Sequence, residues 1–517
     1  MKVPRWLSTV RTASAGAVEG ARSNLRHRHD HRRVLGLALS GGGARASFQL
    51  GALRYLYDVE GITPDVVSGT SAGSILAAAL AQHGTHEGQR RALAEVDRIW
   101  SGMTSSSDIF TELAWYARLR AHLPTWMRVI ALRQARPGRA SLTQTLSSAL
   151  SHAFGRGPTD NDIAATAGTA RTAGTPAAEV AVKNHTISPV ETLTALWEGA
   201  RATSDLEMII RGVGRERSAF RPGPIVEALL EPQVFDPVRL AASRVKLRIT
   251  AVSLESGELH YITGRGELHD RDDRPLAGLG PVDIVDALTA SCAIPGIFPP
   301  IKLGREHYVD GGMRENLPVA IAYEMGADEV IAIVSSPPGP APEESYAERD
   351  ILSIIMRTAS GILPDELQRL QVDAARARGA TVIAPLIEVH DMLTVDPGLI
   401  RIATDYGYLR ARDVMTGAGA HRQSTTHDVI ELRRQLWALE DRLFAPPEDD
   451  DEVVLDPEEL DDDLLRIGEL KLHLRTLLES APASELPHDA DRWWREWERH
   501  PYPIELAPTW PTGSATT

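Results

Sequence analysis

Gly69-Thr70-Ser71-Ala72-Gly73 sets one serine between two glycines, just after the β-branched pair Val66-Val67 and ahead of an alanine-rich run to Leu80. That order predicts strand, sharp turn and helix, the setting in which a G-x-S-x-G serine sits on a strained elbow with its hydroxyl exposed. Gly69 and Gly73 carry no side chain that would collide where strand and helix cross. The helix N-terminus behind Ser71 brings backbone N–H dipoles to the place where negative charge would develop. A bare G-x-S-x-G also arises by chance in loops rich in glycine and serine. The strand before it and the helix after it set this one apart, and Ser71 is the candidate nucleophile.

An acyl-transfer site also needs donors for an oxyanion and a base for the serine proton. Gly41-Gly42-Gly43 suits the first role. It follows the apolar run 34–39, which reads as a strand buried on both faces, and precedes a helical pattern at 48–59 that Gly61 closes. Three glycines there let backbone N–H groups converge on a small anion, and Arg45 would add positive charge or lock the loop. Gly41-x-Gly43-x-x-Ala46 also satisfies the dinucleotide-binding fingerprint. That fingerprint wants an acidic residue at the end of the next strand, and the strand expected at 62–67 runs into Ser68-Gly69-Thr70-Ser71 instead. For the base, the residues leave two options open. A Ser-His-Asp triad would draw on His307 or His390. Asp310-Gly311-Gly312, ending a short strand at 306–309, offers a carboxylate, although Asp-Gly is also an ordinary turn signal.

The elements that must position these residues alternate between strand and helix. A βαβ unit opens the chain, helices are expected at 86–100, 282–293, 318–325 and 399–416, and strands at 245–252, 259–263, 329–334 and 381–384. Residues 101–240 read as a helical insertion broken by prolines, with 155–190 a loop too poor in large apolar residues to pack. Past about 420, helical patterns at 427–444 and 463–478 flank an acidic run at 448–463 that reads as a solvated linker. A tail bearing Trp493, Trp494, Trp497 and Trp510 reads as a wrap over an apolar groove.

Among 517 residues with a formal charge of −15, there is one cysteine, Cys292. An intramolecular disulfide or a cysteine metal cluster is therefore excluded, and Cys292 is expected to behave as a small buried hydrophobe. The acidic balance argues against nucleic acid as a partner. Residues 1–33 run against it, with eight Lys and Arg against Glu19 and Asp30. This arm reads as a disordered basic tail, or as a contact for anionic lipid headgroups at a membrane surface. No apolar signal core follows Trp6-Leu7, so a cytoplasmic location, peripheral at the membrane, is expected.

Three blocks, SGGGARASFQLGAL from Ser40, GTSAG from Gly69, and ASCAIPGIFPPIKLGREHYVDGGMRENLPVAIAYEMGADEVIAI from Ala290, occur in the order of a patatin-like phospholipase. The chain resembles that family over about 34–415, closely at the three blocks and faintly across 101–240. The resemblance implies a three-layer α/β/α fold within 34–420, the insertion 101–240 serving as a lid, and a helical extension at 421–517. It implies a serine acyl hydrolase that cleaves fatty-acyl esters of phospholipids or lysophospholipids, without metal or other cofactor. Position by position, Ser71 is the nucleophile, Asp310 with Gly311 and Gly312 the proton-acceptor motif, Gly69 and Gly73 the elbow, and Gly41, Gly42, Gly43 and Arg45 the oxyanion region. Ala46 stands where the family usually has a glycine. A carboxylate of ordinary pKa, about 3.9, is a weak base for a serine, so the site is expected to be dry. The rivals are an α/β-hydrolase esterase with a histidine triad and a non-catalytic lipid-binding protein that keeps the fold.

Overall fold

A computed structural model describes residues 33–118, 217–343, 345–347, 349, 354–355, 357–444 and 457–480. The basic arm 1–32, the bulk of the insertion (119–216, with the loop 155–190), the first part of the acidic run and the tryptophan-rich tail lie outside the described residues.

The sheet grows outward from β1 (Leu35–Leu39), whose five residues are all buried. Its parallel neighbours are β2 (Val66–Gly69) on one edge and β10 (Glu329–Ile333) on the other, with β11 (Thr381–Ile383) beyond β10 and β5 (Lys246–Ser253) beyond β2. At β5 the sheet turns antiparallel: β6 (Leu259–Thr263) and β7 (Leu268–His269) follow in order. Two further strands, β8 (Ile301–Leu303) and β9 (Glu306–Asp310), form a hairpin whose second strand also pairs with β5. The second strand starts at Val66, later than the apolar run suggests, because Pro64 lacks the N–H that a ladder needs.

Side chains along each strand alternate between two cores. Leu37, Leu39, Val67, Leu247, Ile249 and Ile333 face one core. Helices α1 (Ala46–Asp58), α2 (Ala72–Ala81), α3 (His86–Trp100), α6 (Ile284–Ser291) and α9 (Pro397–Met415) complete it, with short α4 (Pro224–Leu229) and α5 (Pro237–Ala242) at its margin. Ala38, Val66, Val252, Val330 and Ala332 face the other core, covered by α7 (Val319–Glu324) and α8 (Leu363–Ala377). The fold is therefore α/β/α in three layers.

Residues 112–221 form a separate compact unit, of which 112–118 and 217–221 are described. Short β3 (Phe110–Glu112) pairs with β4 (Phe220–Pro222). Within the second unit Tyr116 stacks edge-on against Phe220, ring centroids 5.1 Å apart, and Trp115 Nε1 donates to the Ser218 carbonyl at 3.1 Å. Past the sheet, α10 (Ala420–Phe444) and α11 (Pro457–Ser480) pack through Leu432, Leu436, Ile467, Leu470 and Leu474. Residues 457–463, expected as linker, are the first turns of α11. Acidic residues at the N-terminal end of a helix are favoured by its dipole. Buried Arg433 on α10 donates to Asp405 on α9 at 2.7 Å, which fastens the helical hairpin to the first core.

Helices α1 and α9 cross backbone to backbone. A Cβ at Gly51 would collide with the Thr404 carbonyl, and one at Gly407 with that of Phe48. Phe48–Tyr406 and Tyr55–Tyr408 flank the crossing as edge-to-face ring pairs, 5.4 and 5.3 Å between centroids. In an exposed helix Gly→Ala gains up to about 1 kcal/mol. At this crossing Gly51→Ala should instead lose about 1–3 kcal/mol, because the helices must part. Urea unfolding of the variant reads the sign directly, and a gain in stability would refute the close crossing.

Candidate active site

The strand-to-helix turn after β2 holds Ser71 at φ 53°, ψ −131°, a left-handed conformation that is strained for any residue with a Cβ. Two serines hold it there. Ser291, at the end of α6, accepts the Ser71 N–H on its Oγ at 2.9 Å, and Ser74 Oγ donates to the Ser71 carbonyl at 2.6 Å. Thr70 Oγ1 donates to the Glu315 carbonyl at 2.9 Å and accepts from Thr250 Oγ1 at 2.7 Å, which ties the turn to the strand beside it. Gly69 and Gly73 sit where a Cβ would meet backbone: Gly69 against Gly73 itself, and Gly73 against the Leu39 and Ser40 carbonyls at the end of β1.

Strand register brings a carboxylate to this hydroxyl. β2 pairs with β5 up to Gly69 opposite Ile249. On the same edge of β5, since β6 holds the other, β9 arrives antiparallel and places Asp310 opposite Ala251. Asp310 thus stands in the lane that β2 leaves as the chain turns up into Ser71. The Ser71 hydroxyl lies close enough to the Asp310 carboxylate to pull its pKa down. That carboxylate accepts the Gly312 N–H at 2.7 Å, capping the single turn Gly311–Met313. Gly311 lies against Thr250, where a Cβ would not fit. Both Ser71 and Asp310 are 5 % exposed. Burial pushes the Asp310 carboxyl up to about 6, against the opposing pull of the Gly312 N–H and the Ser71 hydroxyl.

The glycine loop passes beside the same two residues. A Cβ on Gly41 would lie 3.0 Å from the Ser71 Cβ. Gly43 has φ +55°, and no Cβ would fit there against the Met392 carbonyl. The four residues expected at the oxyanion region divide. Gly41 N–H donates to Asn316, to Oδ1 at 3.0 Å and to the carbonyl at 3.2 Å. Arg45 turns away, pairing with Glu388 and donating from Nε to the His390 carbonyl at 3.2 Å. Burial pushes its pKa down, opposed by Asp391 and Asp365. Gly42 and Gly43 are left with N–H groups that have no hydrogen-bond partner among the described residues. Ala44 N–H donates to the Met392 carbonyl at 3.0 Å, and Ala46 opens α1 fully buried.

Neither candidate histidine meets Ser71. His307 Nδ1 bonds Glu255 at 2.7 Å, and His390 lies between Ser47 Oγ at 3.4 Å and the Asp391 carbonyl at 2.9 Å. Cys292, expected among the core hydrophobes, packs half-buried against the first core and also lies close to the side chains of Ser71 and Ser74. Burial, with Asp310 nearby, pushes its thiol up. Beside it opens a small recess of about 30 Å³, walled by Ile75, Val226, Leu230, Leu288, Phe298 and Ile301 among others. Its Thr289 hydroxyl is turned back to the Val285 carbonyl at 2.8 Å, so the pocket wall is almost wholly apolar. Among the described residues, no three His, Cys, Asp or Glu group as metal ligands, and no helix is long and apolar enough to cross a membrane.

Sequence reading missed Ser291 and Asn316, and in the segment 388–392 it weighed only His390, as a base, and not the segment's contact with the glycine loop. Asn316 closes the same short block as Asp310, before Leu317-Pro318, and could have been marked as a turn residue. Nothing in 388–392 signals a glycine loop, since the contact is made across the fold.

A model of the Patatin-like phospholipase family matches residues 37–323, more than half of the chain, and the chain belongs to this family. Solved structures with some likeness include VipD from Legionella pneumophila (14% identity, 90% of this chain against 83% of that one, TM-score 0.29). The human GIVD cytosolic phospholipase A2 in complex with methyl gamma-linolenyl fluorophosphonate is another (14%, 78% against 63%, TM-score 0.28). The type III effector ExoU of Pseudomonas aeruginosa is a third (12%, 92% against 77%, TM-score 0.23). At such scores these likenesses add nothing to the family match.

A carboxyl whose pKa rises from 3.8 to about 6 on folding favours the folded state while protonated. That contribution is fully present below pH 3.8 and is lost as the pH rises through about 6, a swing of about 3 kcal/mol. Asp310→Asn does not titrate. Its stability relative to the wild type should therefore climb between about pH 4 and about pH 8, read by urea unfolding. A difference that stays flat across this range would mean that Asp310 is not buried as a charge.

Proposed function

We propose that the chain is a serine acyl hydrolase that cleaves fatty-acyl esters of lipids through a Ser71–Asp310 dyad. The observation that carries this reading is a strained, elbow-held serine brought by strand register beside a buried carboxylate, next to an apolar recess. Asp310, with its pKa near 6, is a far better proton acceptor at neutral pH than an exposed carboxylate. As the Ser71 hydroxyl attacks the ester carbonyl, its proton passes to Asp310. The oxyanion of the tetrahedral intermediate is held by the N–H groups of Gly42 and Gly43, the two in the loop that have no other partner among the described residues. Asp310 then protonates the leaving alkoxide and accepts a proton from the water that releases the acyl group.

Substrate class follows from the pocket wall. A run of methylenes gains about 0.8 kcal/mol per buried CH2 against such residues, whereas a charged or sugar-like acyl group would lose its hydration for nothing. The apolar wall therefore favours an aliphatic acyl group over a polar one, with the ester carbonyl at Ser71. The basic arm 1–33 supplies charge for an anionic lipid surface.

Ser71→Ala should abolish both ester hydrolysis and labelling by a fluorophosphonate while the protein stays folded, since one small polar atom is removed. Labelling that persists would put the nucleophile elsewhere. Because the dyad works with Asp310 ionised, kcat/KM on an uncharged short-chain ester should rise with pH and pass half its maximum near pH 6. A profile flat down to about pH 4 would sink the base assignment.

A further inference from the structure

The amide of Asn316 touches both halves of the proposed machinery. Its Oδ1 accepts the Gly41 N–H at 3.0 Å. A Cβ on Gly312, in the turn that Asp310 caps, would lie 3.1 Å from both that oxygen and Asp310 Oδ1. Asn316 is thus wedged between the glycine loop and the carboxylate, a few residues along the chain from Asp310.

Its orientation follows from its partners. Gly41 N–H can only donate, so the Asn316 atom facing it is the oxygen. The other end, Nδ2, donates to Gln368 Oε1 on α8 at 3.0 Å. Gln368 is oriented in turn, since its Nε2 donates to the Ser336 carbonyl at 3.1 Å, an atom that can only accept. Backbone atoms thus fix this chain of amides at both ends, and neither side chain can flip without losing a bond in a buried site. Neighbouring Gln371 adds to it, its Oε1 accepting the N–H groups of Asn316 and Leu317, both at 2.9 Å.

Resting on the hydrolase reading, we infer that Asn316, oriented by Gln368, is a positioning residue for acyl transfer: it engages Gly41 so that the N–H groups of Gly42 and Gly43 meet the oxyanion, and it sets their distance from Asp310. The amide touches neither substrate nor the Ser71 hydroxyl. It acts through the loop. Gly41 N–H is taken out of the donor set by the same bond that aims the next two. Misplacement of donors by about 1 Å is enough to lose about a hundredfold in rate, and the loss falls on the transition state more than on binding of the acyl chain.

Two variants test it, Asn316→Ala, which removes the amide, and Gln368→Met, which removes only its orienting partner. Active sites are counted with a fluorophosphonate, so that turnover is expressed per titrated serine and unfolded protein drops out. On an aryl ester of a fatty acid, kcat per site should fall about a hundredfold for Asn316→Ala and roughly tenfold for Gln368→Met, with KM within about threefold of wild type. A merely structural role would lower the titratable fraction or the melting temperature and leave kcat per site intact. Unchanged kcat per site in Asn316→Ala overturns the assignment, and if that variant yields no folded protein, unchanged kcat in Gln368→Met does so. A wild type that is neither labelled nor active removes the hydrolase reading and this assignment together, whereas an active wild type beside an unaffected variant removes the assignment alone.

Discussion

The approach of Asp310 to Ser71 depends on how β5 shares one of its edges. β2 occupies that edge as far as Ile249, and β9 takes it over from Ala251 in the opposite direction. The gap between them is where the chain of β2 turns up into the elbow. A slip of one residue in β9 would send the Asp310 side chain to the other face of the sheet. Burial of Val309 and Tyr308 on alternate faces, and the hairpin with β8, hold that register.

A carboxylate placed there is both dry and bonded. Dryness raises its pKa; the Gly312 N–H and the Ser71 hydroxyl lower it, and burial wins. The left-handed backbone of Ser71 adds strain of order 1–3 kcal/mol. Both are destabilising, and both sit on a sheet with a packed core on either face, which can carry them. The Asp-Gly-Gly turn and the proposed base are not alternatives. One carboxylate caps the turn and faces the serine.

The glycine loop is held from two directions. From one side comes Asn316, in the block that carries Asp310. From the other comes the segment 388–392, which pairs with Arg45 and Ala44 just ahead of α9. Helix α9 in turn lies directly on α1, the helix that the loop opens, through Gly51 and Gly407. The segment and α9 both fall beyond the stretch matched by the family model. The loop is therefore a joint between the N-terminal βαβ unit and the C-terminal part of the domain.

Short-range chemistry was legible in the sequence. Ser71 on its elbow, the three glycines, the Asp310 turn and the alternation of strand and helix all follow from residue type and spacing, because steric rules for glycine, helix ends and pleated strands act within a few residues. The resemblance to a family of known fold joined these pieces. Choice among equal candidates was not legible. Gly41, Gly42 and Gly43 read alike, yet one N–H is taken by Asn316 and two are not. Arg45 reads as charge for an oxyanion, yet Glu388 draws it to the other side of the loop. Cys292 reads as core, and the packing that places it there also brings it close to Ser71. In each case the deciding partner comes from a distant part of the chain, and such pairs are settled by which groups the packed sheet and helices bury together. The sequence alone therefore determined which residues the proposed chemistry would draw on. Which hydrogen bond each of them makes was decided by the tertiary structure, because a buried donor takes the acceptor that packing puts within reach.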